Sequence, residues 1–176
     1  MTQRYALLFR LIHWAMALIV LTMLAFGQKF AGEMPVAERQ FSLMGHSSLG
    51  VLLVGLLSLR LIMRLTGMAK RPEHSIAPWQ KLASRTVQTG LYALMVLLPI
   101  TGFLTARVHE LPVTPFGLFS ISTSDPATFE AIRDWHMLGT KLLMVLLVLH
   151  IGAALMHRFV LRDGVMGSMS LFRPKS

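Results

Sequence analysis

The chain has no cysteine and little charge: Asp, Glu, Lys and Arg make up 14% of its 176 residues. The absence of thiols excludes disulfides, thiolate-held iron–sulfur clusters and thioether attachment of a cofactor through a CxxCH signature. It leaves the redox compartment open. The scarcity of charge excludes an ordinary water-facing surface, which needs about 25% charged residues. Acids are the scarcer sign, eight against seventeen basic residues, for a net charge of +9.

Apolar residues fill the space that charge leaves. They make up 54% of the chain, and the mean hydropathy is +0.60. Four long apolar runs stand out, over about 7–26, 41–63, 86–106 and 135–161. Each reaches the roughly 20 residues that a helix needs to cross ~30 Å of hydrocarbon. Inside a bilayer such a run satisfies its backbone only as a helix. The expectation is an all-α membrane protein, an up-and-down bundle of four transmembrane helices forming a single domain over 1–176. The first run is too long for a secretory signal core and no A-x-A site follows it, so it is read as a span.

The basic residues suggest a topology. Arg4 and Arg10, then Arg60, Arg64, Lys70, Arg71, Lys81 and Arg85, then Arg158, Arg162, Arg173 and Lys175 fall on one side. Lys29, Arg39, Arg107 and Arg133 fall on the other, with Lys141 inside the fourth run. The positive-inside rule then places both termini in the cytoplasm. The charge is thus a topology signal with some attraction to anionic lipid, and no nucleic-acid partner is expected. Residues 31–40 and 66–78 read as loops, and 107–134 as the longest connection. Its Pro-Phe-Gly-Leu-Phe stretch at 115–119 is expected to dip into the outer interface, and Trp79, Tyr92 and Trp135 to sit at interfaces.

Five of the seven histidines, His13, His46, His136, His150 and His157, lie within the apolar runs. Ionisable residues there are rare and usually functional. His74 and His109 fall in loops and read as surface residues. His136 and His150 are 14 residues apart, which is ~21 Å along a helix and within ~40° of one face. His46 matches the depth of His136, and His13 that of His150. Two facing pairs at two levels follow, the arrangement that grips a heme iron on both axial sides in a helix bundle. One mononuclear zinc or copper site cannot use all four across ~21 Å, and no carboxylate or thiol completes two separate sites. Gly45, Gly50, Gly139, Gly152, Ala153 and Ala154 surround these histidines, either as clearance for a cofactor or as ordinary close packing. The third run has no histidine. Pro99 and Gly102 suggest a kink there and a role in closing the bundle.

On these residues the chain resembles the bacterial diheme cytochrome b561 family. The resemblance spans nearly the whole length. It rests on Ile12-His13-Trp14, Met44-Gly45-His46, Trp135-His136, Leu149-His150, Ala153-Ala154-Leu155, His157 and Arg162-Asp163-Gly164. It implies two b-type hemes with His13, His46, His136 and His150 as axial ligands of the iron. It further implies electron transfer across the bacterial inner membrane, with ubiquinone as acceptor. The relatives carry quinone in the region of His157, so His157 is expected to contact a quinone or a heme propionate. Arg158, Arg64, Arg60 and Arg10 are alternative propionate partners. Arg158 stands where relatives often have a second histidine, and the usual basic-methionine-proline ending is replaced by Gly167-Ser168-Met169-Ser170. One activity in the family is superoxide:ubiquinone oxidoreduction. For superoxide the outer loop gives mixed signals: Glu110, Asp125, Glu130 and Asp134 outnumber Arg107 and Arg133, whereas Arg133 and Lys141 flank His136. A periplasmic redox donor competes with superoxide. The alternative to a self-sufficient oxidoreductase is a membrane anchor that hands electrons from a partner dehydrogenase to quinone.

Overall fold

The computed structural model describes residues 4–70, 72, 74 and 76–172. Among the basic residues used for topology, Arg71, Arg173 and Lys175 lie outside them. The described residues form four long helices and no strand: α1 (Leu7–Gly27), α2 (Val36–Leu65), α3 (Pro78–Val108) and α4 (Pro126–Met156). All four are long and apolar enough to cross a membrane. They fit the expected four-helix bundle.

Three helices begin earlier than the apolar runs. α2 starts at Val36 behind Pro35. α3 starts with Pro78 at its first position, where the backbone N–H of Ala77 donates to Gln80 Oε1 at 2.9 Å. α4 starts with Pro126, where Asp125 Oδ1 accepts from the Ala127 amide at 3.2 Å. Hydropathy marks only the hydrocarbon crossing, whereas proline at the first turn and a capping acceptor mark the helix start. The long connection therefore shortens to residues 109–125, and α4 gains polar turns that extend past the apolar segment.

The core concentrates between α1 and α2. Phe9, Ile12, Met16 and Val20 form one stripe of α1, and they cluster with Leu53, Leu57 and Met63 of α2 and Leu143 of α4. α3 packs along α4 in the same manner, while contact between the two hairpins is slighter. Most other apolar side chains face outward, as expected where lipid is the solvent.

The two ends close differently. At the end holding both termini, the Tyr5 amide donates to the Ser168 carbonyl at 3.2 Å. Trp14 Nε1 donates to the Met169 carbonyl at 2.9 Å, and the Arg4 and Arg10 guanidiniums both bond the Ser170 carbonyl. A π turn over His157–Leu161 and left-handed backbone at Arg162 (φ 49°) and Gly164 (φ 81°) fold the tail back to make this clasp. At the far end, residues 109–125 lie over α2. The Phe116 amide donates to Ser48 Oγ at 2.7 Å, and Ser122 Oγ accepts from the Val113 amide at 2.9 Å. Phe116, Leu118 and Phe119 remain exposed.

Candidate heme centres

The fold brings four histidines together in two pairs. The ring centroids of His13 (α1) and His150 (α4) are 6.2 Å apart with planes at 74°. Those of His46 (α2) and His136 (α4) are 6.4 Å apart with planes at 78°. A direct N–H···N hydrogen bond would draw the centroids to about 5 Å. An imidazole–metal–imidazole axis needs about 6 Å, from two bonds of ~2 Å plus the distance from each nitrogen to its ring centre. Among the described residues the buried Nδ1 of His46 has no hydrogen-bond partner. The slight contact between hairpins leaves the backbones apart where the rings meet. Among the described residues no three His, Asp or Glu side chains cluster as a conventional metal site would require. The residues thus fit an iron porphyrin at each level.

α3 does more than close the bundle. Thr101 Oγ1 lies 3.0 Å from His136 Nδ1 and also 3.1 Å from the Leu97 and Leu98 carbonyl oxygens. Its single proton goes to a carbonyl, so it accepts from His136 Nδ1–H. This fixes the tautomer and leaves Nε2 with its lone pair. A Cβ at Gly102 would stand 3.1 Å from His136 Cε1. That glycine therefore makes room for the ring, a role beyond the expected kink. Gly139 has the bland reading: a Cβ there would meet Leu98 at 3.0 Å, which is helix packing. Gly45 and Gly152 have open space.

His157 is buried at the start of the π turn, with Nδ1 2.5 Å from Asp163 Oδ2. Burial alone would push the Asp163 carboxyl up. The Val165 amide and the His157 ring outweigh it and hold that carboxyl below the ordinary range. A cavity of about 440 Å³ is lined by His157, Arg158, Phe159, Arg162, Gly164 and Met166, among others. Arg158 is exposed on it. Asp163 was quoted from the sequence only as part of the Arg-Asp-Gly motif, because its six-residue offset from His157 becomes contact only through the π turn.

The structure adds to three further expectations. The hydroxyl of Tyr92 accepts from Arg60 Nε at 2.9 Å. His109 and His74 are half-buried rather than at the surface. His109 Nδ1 accepts from the Leu111 amide at 2.9 Å and its ring stacks edge-on with Phe129, and burial lowers its pKa. At the mouth near His136, Arg133 is tied to Glu130 at 2.8 Å and Lys141 is exposed.

Comparison with known proteins agrees with this architecture. The family model described as prokaryotic cytochrome b561 matches residues 4–170. The chain is 29% identical over 180 residues to the protein named cytochrome b561 homolog 2 of Escherichia coli (strain K12), covering 95% of this chain and 91% of that one. Four membrane-length helices, two facing imidazole pairs and a match over nearly the whole length lead to one conclusion: the chain belongs to the prokaryotic cytochrome b561 family, multi-pass bacterial membrane proteins that carry b-type heme in electron transport.

Proposed function

We propose that this single membrane domain holds two hemes b and passes electrons across the inner membrane, from a donor at the His46–His136 end to ubiquinone at the His157 end. His46 and His136 would hold one iron, and His13 and His150 the other. The observation that carries the reading is the pair of ring separations, 6.2 and 6.4 Å, each too wide for a direct hydrogen bond and suited to an intervening metal. When bound, heme supplies one-electron chemistry at a potential tuned by its ligands and surroundings.

The chain's own residues account for the remainder. Thr101 orients His136, and Gly102 keeps space for its ring. The positive-inside pattern puts both termini, and with them His157, on the cytoplasmic side. There His157, aligned by Asp163, hydrogen-bonds a quinone carbonyl beside Arg158 and delivers a proton to it. With superoxide as donor the balance closes. Two superoxide ions release two electrons and become two dioxygen molecules, and one quinone takes up two electrons and two cytoplasmic protons to become quinol.

Reduced and oxidised visible spectra of the chain purified in detergent should report two b hemes per polypeptide. A colourless preparation overturns the reading. With two hemes present, superoxide should drive ubiquinone reduction by the chain alone. Inertness until a dehydrogenase is added assigns the role of an anchoring subunit instead.

A further inference from the structure

The two levels differ in one respect that ligation does not explain. Arg60 of α2 is buried, 7% exposed, among apolar neighbours. Its Nε donates to Tyr92 Oη at 2.9 Å and its Nη1 to the Phe9 carbonyl at 3.1 Å. Its guanidinium lies 3.9 Å from the Phe9 ring centre. Phe9, which Arg60 holds at both its carbonyl and its ring, is one helical turn before His13. Among the described residues its partners are neutral, a hydroxyl, a carbonyl and a ring, and no carboxylate pairs with it. Arg10, 9% exposed, adds a second buried cation at the same end.

Among the described residues no buried arginine or lysine stands by the other pair. His46 meets the edge of Phe30 and His136 meets Thr101 and Gly102. Among the described residues the buried arginines are Arg10 and Arg60, both at the end with the termini. A fixed positive charge in a medium of low dielectric favours the state with one more electron nearby, and burial keeps water and salt from screening it.

We propose that Arg60 makes the His13–His150 level the electron sink of this chain. Its buried charge raises the affinity of that level for an electron above that of the His46–His136 level, and so sets the direction of flow toward the terminus-bearing end. This rests on the reading that each pair holds a heme. Arg60 acts through its charge and by position rather than as a ligand.

The test is a redox titration of the purified, heme-loaded protein, followed in the visible spectrum, for the wild type and for Arg60→Gln and Arg60→Lys. The wild type should show two midpoints. In Arg60→Gln the upper midpoint should fall so that the reduced-to-oxidised ratio at fixed potential drops at least tenfold, 59 mV for a one-electron couple, while the lower midpoint holds. Arg60→Lys keeps the charge and should hold the upper midpoint to within threefold in that ratio. An upper midpoint unmoved in Arg60→Gln, an equal fall of both midpoints, or a tenfold fall in Arg60→Lys overturns the proposal. Should Arg60→Gln lose heme, the Arg60→Lys titration alone decides. A wild type with fewer than two hemes defeats the paired-heme reading itself; two hemes with an unmoved upper midpoint in Arg60→Gln defeats only the inference about Arg60.

Discussion

At the far level, His136 is fixed by neutral groups on a neighbouring helix: a hydroxyl at one nitrogen and the missing side chain of Gly102 at its edge. At the near level, His13 and His150 sit beside a buried guanidinium and beneath a clasp in which residues from both ends of the chain meet. The first arrangement is steric and depends on a few atoms of α3. The second is electrostatic and depends on contacts far apart in sequence. On the proposed assignment, two alike histidine pairs in one bundle stand in unequal surroundings.

The sharpest way to break the comparison is to remove a ligand. His136→Ala should lower heme content from two per chain to one, measured as the alkaline pyridine adduct, and leave the spectrum of the near level intact. Loss of both hemes would mean that the levels are not independent. Next in size is Gly102→Val. Even one methyl group at this position would press the His136 ring, and the larger side chain cannot yield because it is anchored on a packed helix. Far-level heme should be lost largely or entirely, with Gly102→Ala intermediate. Thr101→Val keeps shape and removes the acceptor for His136 Nδ1–H. Loss of an outer partner of a metal-bound histidine costs about 10–100-fold in affinity. Heme transfer to a competing apoprotein should therefore speed up for the far level alone, and Thr101→Ser should restore it.

Those three positions show what a sequence can and cannot convey. The four histidines were legible because a 14-residue interval on a helix fixes both face and depth, and because ionisable groups are conspicuous in apolar runs. The spans were legible for the same reason, although the starts of α2, α3 and α4 were not, since Pro35, Pro78 and Asp125 act outside the hydrocarbon. Thr101 and Gly102 were hidden because threonine and glycine are ordinary in membrane helices and their meaning depends on the rotation of α3 against α4. Arg60 drew notice as one of several basic residues and as an alternative propionate partner. Its burial, and its grip on Phe9 and Tyr92, arise from how three helices converge. Asp163 reaches His157 only because a π turn and two left-handed residues redirect the chain, and local propensity carries no strong signal for that.

The smallest effect should come from the clasp. Trp14 is followed in sequence by no feature that predicts a partner 155 residues away, yet its indole N–H holds the Met169 carbonyl. Trp14→Phe removes one hydrogen bond, worth ~1 kcal/mol, and retains most of the ring's apolar contact. Hydrogen exchange should then quicken at the amides of 168–170, where the Arg4 and Arg10 contacts remain to hold the tail. The far loop at 113–122 should keep its protection, because its anchors at Ser48 and Ser122 do not touch the tail. Both hemes and both midpoints should stay as in the wild type. A fall in the upper midpoint together with the faster exchange would show that the clasp, by excluding water from Arg60, is itself part of what sets the potential of the near level.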